Sequence, residues 1–202
     1  MTEPVTSNIH RKGETPRQSA LSRWLKDNQL PLWLVERSFI AQLVLRGNFA
    51  EDGFCNALTT VLGAPPPEAV NGVVRLGKDD AIICRLGPDE CLLISDADAV
   101  RQLHALQQAL SGQHAAVVDV SDGQIILRLK HQLAADLLSR HCPLDFHKAI
   151  FPPGSCAQSV LAKCNLIFVR QEEDCFDLVV RRSFAEYACQ LLLDAAYIEG
   201  LI

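Results

Sequence analysis

The chain has 202 residues and a formal net charge of −5, with 49% hydrophobic and 21% charged residues. This length suits one large domain or two small fused ones, and the composition is typical of a folded protein rather than a disordered one. Outside the N-terminal segment no more than two Lys or Arg residues are adjacent. The charge pattern therefore argues against a nucleic-acid partner and against an anionic membrane surface.

The N-terminal segment is polar and is interrupted by Pro4, Gly13 and Pro16. It contains no apolar stretch of the kind that signal peptides carry, so we expect a cytoplasmic protein. The apolar residues 30–39 are too few to span a bilayer. We predict a flexible arm over residues 1–23, followed by a folded domain over residues 24–202.

Eight cysteines are distributed along the chain without a C-x-x-C motif or any paired ligand spacing. A zinc site needs closely spaced pairs of ligands, and in the cytoplasm disulfides are rare. Most of these cysteines lie within apolar runs, where a free thiol packs like a small hydrophobic side chain. We therefore predict buried, free thiols and no metal site.

The first half of the chain predicts a strand, a helix, three strands and a second helix. The strand covers residues 41–48, and the helix of residues 50–63 ends at Gly63, before three prolines. Two strands follow within residues 72–86, and a turn with the sequence LGPDE leads into the strand CLLIS. Asp96 or Asp98 then caps a helix whose apolar residues recur at helical spacing.

The second half predicts the same order of elements. A turn at Asp122 and Gly123 leads into the strand Ile125–Leu129, and Leu133–Arg140 has the pattern of an amphipathic helix. The remaining predicted elements are the strands CAQSVLAK, NLIFVRQ and CFDLVV and the helix SFAEYACQLLLDAA.

Aligning the halves pairs Arg85 with Arg170 and Cys91 with Cys175, each pair in a hairpin with an acidic tip. The repeated unit is β-α-β-β-β-α, over residues of about 41–112 and 117–196. The fold class that follows is α+β, with two antiparallel sheets backed by helices. Because the hairpin occurs twice, we interpret Cys91 as a core residue that opens a strand rather than as a nucleophile beside carboxylates.

The sequence CPLDFH is the best candidate for nucleophilic chemistry, since it places Cys142 and His147 on either side of Asp145. A Cys–His pair usually comes from separate elements, and Pro143 favours a connecting loop here, so a Cys–His hydrolase is the weakest of our hypotheses. Glycine-rich phosphate loops and zinc-protease motifs are missing from the sequence. We therefore predict no catalytic, cofactor-binding or metal-binding residue in this chain.

Arg181 and Arg182 are the candidate partner-interface residues. They precede Ser183 and Glu186, whose S-x-x-E spacing predicts a capping box at the start of the last helix. An arginine at a helix N-terminus gains nothing from the helix dipole, so we expect it to meet a partner or an acidic group. Alanine at either position should weaken such an interface by ~1–3 kcal/mol.

Five segments, taken in order, carry a resemblance to a known family: ERSFIAQLVLRGN, RLGPDECLLI, VVDVSDGQIILRL, FPPGSCAQSVLAK and DLVVRRSFAEYACQLLLDA. Together they resemble the gamma subunits of heterotetrameric sarcosine oxidase, over Glu36 to Ala196. The resemblance implies a fold like that of the folate-binding aminomethyltransferase domain. It also implies a non-catalytic subunit of a complex that demethylates sarcosine to glycine and transfers the one-carbon unit to tetrahydrofolate.

By the same resemblance, the complex uses FAD, FMN, NAD, tetrahydrofolate and zinc, all held in other subunits. The expected partners are the alpha, beta and delta subunits, with alpha in most direct contact. Two alternatives stay open: the small subunit of an N-methylglutamate dehydrogenase-type complex, and a stand-alone folate-binding aminomethyl-transfer or repair protein. The second would need a pocket of acidic and aromatic groups for the pterin, and the chain has only two tryptophans and two tyrosines.

Overall fold

A computed structural model describes residues 17–77 and 80–202. Over these residues the chain forms ten strands, four α-helices and two short 3-10 helices. The strands are β1 (Leu34–Arg37), β2 (Ala41–Arg46), β3 (Val73–Arg75), β4 (Ile82–Arg85), β5 (Glu90–Ser95), β6 (Ala116–Asp119), β7 (Gln124–Lys130), β8 (Ser155–Leu161), β9 (Cys164–Glu172) and β10 (Cys175–Arg181). The helices are α1 (Asp52–Leu62), α2 (Ala99–Ala109), α3 (Ala134–Ser139) and α4 (Ala185–Ile198), and the 3-10 helices are Trp24–Lys26 and Arg182–Phe184.

The strands form two five-stranded antiparallel sheets. Sheet 1 has the order β3-β4-β5-β2-β6, and sheet 2 has the order β1-β7-β10-β9-β8. The prediction of two repeated β-α-β-β-β-α units is confirmed, as β2-α1-β3-β4-β5-α2 and β7-α3-β8-β9-β10-α4. Each unit is also preceded by one strand that joins the other unit's sheet, since β1 pairs with β7 and β6 pairs with β2.

Three apolar clusters define the layers of the molecule. Leu43 and Leu93 on one face of sheet 1 pack with residues of α1 and α2, and Leu127 and Leu178 of sheet 2 pack with residues of α3 and α4. The third cluster comes from strands of both sheets and includes Ile82, Leu92, Ile126 and Val179. Because side chains alternate along a strand, each sheet presents one face to its helices and the other to the opposite sheet. The result is an α/β/β/α sandwich.

Helix boundaries follow the expected chemistry at two of three positions. Gly63 ends α1 with a φ of 77°, a left-handed conformation that glycine adopts without strain, and Asp98 caps α2 by accepting a hydrogen bond from the Arg101 amide at 3.0 Å. The predicted capping box is wrong. Ser183 lies inside a 3-10 helix, so the residue before α4 is Phe184, and no described residue caps that helix with its side chain.

The strand registers correct one detail of the internal alignment. Arg85 lies opposite Cys91 in the β4–β5 pair, whereas Arg170 lies opposite Phe176 in the β9–β10 pair. The structural counterpart of Cys91 is therefore Phe176, and Cys175 lies one residue earlier, at a shift in register. A one-residue offset reverses the face of a strand residue, so Cys91 and Cys175 point to opposite sides of their sheets.

The thiols behave as expected of small core residues. All eight cysteines are free, and all except the half-buried Cys55 are buried. Cys91 is fully buried against the helices of sheet 1, which confirms its interpretation as a core residue. Burial raises the pKa of the Cys91 thiol to about 12, so it stays protonated and unreactive at neutral pH.

The predicted flexible arm lies mostly outside the described residues, which begin at Arg17. Its last residues pack against the domain: Leu21 is fully buried within the core of sheet 2, and Arg17 forms an ion pair with Asp122 at 2.6 Å. The packed chain thus begins before residue 24. Within the described ranges, no helix is long and apolar enough to cross a membrane.

Candidate interaction surface

The space between the two sheets has two ends, and the internal repeat places corresponding residues of the two units at these ends. In sheet 1, Val44 of β2 lies opposite Leu92 of β5, and in sheet 2, Arg128 of β7 lies opposite Asp177 of β10. These four residues project into the space between the sheets. The same positions of the two units therefore carry an apolar pair at one end and an ion pair at the other.

The end that contains Asp177, here called the charged end, is filled by side chains. Asp177 is fully buried and accepts two hydrogen bonds from Arg128, Nε to Oδ1 at 2.7 Å and Nη2 to Oδ2 at 2.8 Å. Arg37 of the edge strand β1 donates to Oδ2 at 3.2 Å, and Gln171 donates to the same oxygen at 2.9 Å. A buried carboxylate with this many charge-assisted donors is well satisfied.

The charged end also ties sheet 2 to sheet 1. Arg128 donates through Nη1 to Asp80 at 2.6 Å, and Arg37 donates through Nη2 to Asp96 at 3.0 Å. The hydrogen bond from Arg128 lowers the pKa of the Asp80 carboxyl, and the hydrogen bond to Asp177 raises the pKa of Arg128. These groups therefore stay ionised at neutral pH, and the sheets are held together there by ionic contacts as well as apolar ones.

The opposite end of the interface is open and is here called the cleft. It has a volume of about 500 Å³ and is lined by residues of both sheets. Buried apolar side chains of Leu86, Leu92, Ile167 and Val179 form its floor. The polar lining residues are Glu90, Gln124, Gln158, Ser159, Asn165 and Arg181. An apolar floor with a few polar groups at the rim is the usual composition of a binding site.

Each residue of the cleft corresponds, in the other repeat unit, to a residue of the charged end. Following the strand registers, Val44 corresponds to Arg128, Leu92 to Asp177, Leu86 to Gln171, Asn165 to Asp80, Gln158 to Arg75, and Arg181 to Asp96. The apolar side chains are shorter than the arginine and leave no buried charge to pair. The duplicated fold therefore has one closed end and one open end.

The structure separates the two arginines that the sequence singled out. Arg181 is exposed at the rim of the cleft, and its side chain makes no hydrogen bond or ion pair with the described residues. Arg182 donates through Nη2 to the backbone carbonyl of Gln18 and through its amide to Gly123 at 3.0 Å. Arg182 thus anchors the N-terminal segment of its own chain, and Arg181 is the better candidate for a partner contact.

The candidate Cys–His pair is not assembled. The Cys142 thiol lies 3.8 Å from Ser159 Oγ, while His147 Nδ1 accepts the Ala149 amide at 3.3 Å and its own amide binds Asp145 at 2.8 Å. The thiol contacts a residue of β8, and among the described residues the imidazole hydrogen-bonds only within its own loop, so the two groups do not form a pair and the Cys–His hydrolase hypothesis loses its basis. Within residues 17–77 and 80–202, no group of three His, Cys, Asp or Glu side chains is placed to hold a metal ion.

Sequence reasoning missed the charged end and the cleft. The signal for the charged end was present, since Arg128 and Asp177 interrupt otherwise apolar strands. Neither residue suggests a partner until the register of β7 against β10 is known. The cleft has no motif, because it arises from a difference in side-chain size and charge between two halves that pack against each other.

Three comparisons relate the chain to known proteins. Residues 46–198 match the sarcosine oxidase, gamma subunit family. The chain is 32% identical to the sarcosine oxidase subunit gamma of Corynebacterium sp. (strain U-96) over 162 residues, which cover 80% of this chain and 78% of that one. In a solved heterotetrameric sarcosine oxidase from Corynebacterium sp. U-96, one chain superposes with a TM-score of 0.80 at 28% identity, over 92% of this chain and 97% of that one.

A more distant structural match concerns the fold alone. Aminomethyltransferase T of the glycine cleavage system from Bartonella henselae superposes with a TM-score of 0.61 at 17% identity, over 79% of this chain and 45% of that one. The expected likeness to the aminomethyltransferase fold is therefore confirmed.

Proposed function

The chain belongs to the sarcosine oxidase gamma subunit family, and we propose that it is the gamma subunit of a heterotetrameric complex that demethylates sarcosine to glycine. In this proposal the one-carbon unit passes to tetrahydrofolate, and the chain contributes a surface for assembly rather than catalytic groups. The observation that carries the proposal is the superposition, over nearly the whole of both chains, on a chain of a heterotetrameric sarcosine oxidase.

The chemistry of the chain is consistent with a supporting role. Buried thiols such as Cys91 and Cys189 have pKa values raised to about 12 by burial and cannot serve as nucleophiles at neutral pH. The strongest cluster of ionised groups, at the charged end, is saturated by its own hydrogen bonds and ties the two sheets together. We propose that FAD, FMN, NAD, tetrahydrofolate and zinc belong to the other subunits and that alpha is the most direct partner.

The test is co-expression of this chain with the alpha, beta and delta subunits of the same genome. We expect the chain to co-elute with the flavin-containing subunits in size-exclusion chromatography, and the purified complex to oxidise sarcosine. The chain alone should be colourless and inactive. Elution as a free monomer beside an assembled flavoprotein, together with tight binding of a folate by the isolated chain, would contradict the proposal and favour the stand-alone folate-binding alternative.

A further inference from the structure

We propose that the cleft between the sheets binds an acidic segment of a partner subunit, and that Arg181 pairs with the carboxylate of that segment. This inference rests on the proposed function, since it assigns a surface and a recognition chemistry to the subunit assembly. It concerns a protein partner, and in particular a loop or terminus that presents an Asp, a Glu or a chain-terminal carboxylate beside backbone N–H groups.

The charged end of the same molecule shows how such a space is filled. There, Arg37 extends from the edge strand β1 into the space between the sheets and contacts both Asp177 and Asp96. The side chain enters from the edge of its sheet, and acidic groups of both sheets accept its hydrogen bonds. The equivalent edge strand at the cleft is β6, and the residue that corresponds to Arg37 is Val120, just beyond that strand. Among residues 17–77 and 80–202, no charged side chain enters the cleft from that edge.

The charge at the rim is reversed between the two ends. Asp96 receives the guanidinium of Arg37 at 3.0 Å, whereas Arg181 occupies the corresponding position at the cleft. Glu90 is the lining residue that would oppose an incoming carboxylate, but Arg46 binds it and lies 3.6 Å from Asp89 as well. The rim of the cleft therefore presents one cation without a partner among the described residues. A site with an unpaired arginine selects a carboxylate, which the guanidinium can bind through two parallel hydrogen bonds.

A second polar atom of the cleft also lacks a partner. The side-chain oxygen of Gln124 is buried and accepts no hydrogen bond from the described residues. A buried acceptor without a donor is unfavourable, and an N–H group that enters the cleft can pair with it once the glutamine side chain turns toward the opening. A peptide segment supplies backbone N–H groups next to a carboxylate, and its apolar atoms can cover Leu92 and Val179 on the floor. This combination favours a partner chain over an inorganic anion.

The first experiment reverses the charge at Arg181 in the full complex. The chain with Arg181→Glu is compared with a chain with Arg101→Glu, which carries the same charge change at an exposed position of α2, on the helix-covered face of sheet 1. A third variant, Gln158→Trp, fills the cleft from an exposed strand position without changing charge. We expect both cleft variants to bind the other subunits at least about tenfold more weakly than the wild-type chain, and Arg101→Glu to bind as the wild type does.

Binding is measured by titrating immobilised chain with the purified alpha, beta and delta subunits, after thermal unfolding has shown that each variant is folded. Normal assembly of both cleft variants would overturn the inference, and this is also the result expected if the cleft takes a small soluble carboxylate. Failure of the wild-type chain to assemble would instead overturn the proposed function.

The second experiment identifies the occupant directly. A photoreactive phenylalanine analogue replaces Val160, which lines the cleft, and the assembled complex is irradiated and digested. We expect the cross-linked partner peptide to contain an Asp or Glu residue or a chain terminus, and substitution of that group by Asn, Gln or an amide to weaken assembly as Arg181→Glu does. Cross-links to a peptide without a carboxylate, or none to any partner in an assembled complex, would contradict the inference.

Discussion

At the scale of single residues, Asp177 holds the two arginines, Arg37 and Arg128, that reach from sheet 2 to acidic groups beside sheet 1. It is fully buried, and its two oxygens accept four hydrogen bonds from Arg37, Arg128 and Gln171. Removing one member of such a network leaves the other charges buried without a partner, which is more damaging than replacing the whole pair by apolar groups. The cleft shows what replacement of the whole pair by apolar side chains looks like, since Leu92 and Val44 occupy the positions that Asp177 and Arg128 occupy in the other unit.

We expect Asp177→Leu alone to lower the free energy of unfolding by ~3–5 kcal/mol, because Arg128 and Arg37 lose their shared acceptor. The double variant with Arg128→Val copies the apolar pair of the other unit and should be less destabilised than the single variant. Urea unfolding followed by circular dichroism measures both values. With the single variant Arg128→Val measured as well, simple addition of the two single-variant effects would show that the residues do not act as a network.

At the scale of elements, the two hairpins are stabilised by arginines in matching positions. Arg170 is buried, donates through Nη1 to the carbonyls of Phe146 and Phe151 at 2.8 Å each, and lies over the ring of Phe176 at 4.9 Å. Arg85 donates in the same way to nearby carbonyls, among them that of Pro67 at 3.1 Å, but its acceptors are partly exposed. Because Cys91 takes the place of the ring in this hairpin, Arg85 stacks on Phe49, at 4.3 Å.

The two arginines allow a matched comparison. We expect Arg170→Met to lower the free energy of unfolding by about 3 kcal/mol, since it leaves buried carbonyls without donors. Arg85→Met should cost about 1 kcal/mol, because water can reach the carbonyls that it abandons. Urea denaturation of both variants under the same conditions provides the measurement, and equal losses would mean that burial of the acceptors does not set the effect.

The elements themselves were largely predictable from the sequence, and their pairing was not. The order of strands and helices follows from apolar periodicity, and Gly63 and Asp98 mark helix ends by their own backbone chemistry. The pairing of Cys91 with Cys175 was wrong because a similarity of letters does not give the register, and a shift of one residue exchanges the two faces of a strand. The cleft depends on that register and on the packing of two sheets, so it follows only from the folded chain.

At the scale of the whole molecule, the two repeats cannot fold as separate units without losing strands from their sheets. The strand β1 precedes the first unit but pairs with β7 in sheet 2, and β6 precedes the second unit but pairs with β2 in sheet 1. A bridge between Gly72 and Ser155 joins the sheets at their other edges. The exchange of edge strands makes each sheet depend on residues from both halves, so the molecule should unfold as one cooperative unit.

This cooperativity can be tested because the two tryptophans report on one half only. Trp24 and Trp33 pack against the core of sheet 2, whereas Leu93 is fully buried in the core of sheet 1. We expect Leu93→Ala to lower the free energy of unfolding by ~2–5 kcal/mol. The urea midpoints measured by tryptophan fluorescence and by circular dichroism should both fall, and they should fall to the same value. Val100→Ala, at an exposed position of α2, should leave both transitions within about 0.5 kcal/mol of the wild type. A fluorescence transition that stays at the wild-type midpoint in Leu93→Ala, while circular dichroism shows an earlier phase, would mean that the sheets unfold separately in spite of the exchanged strands.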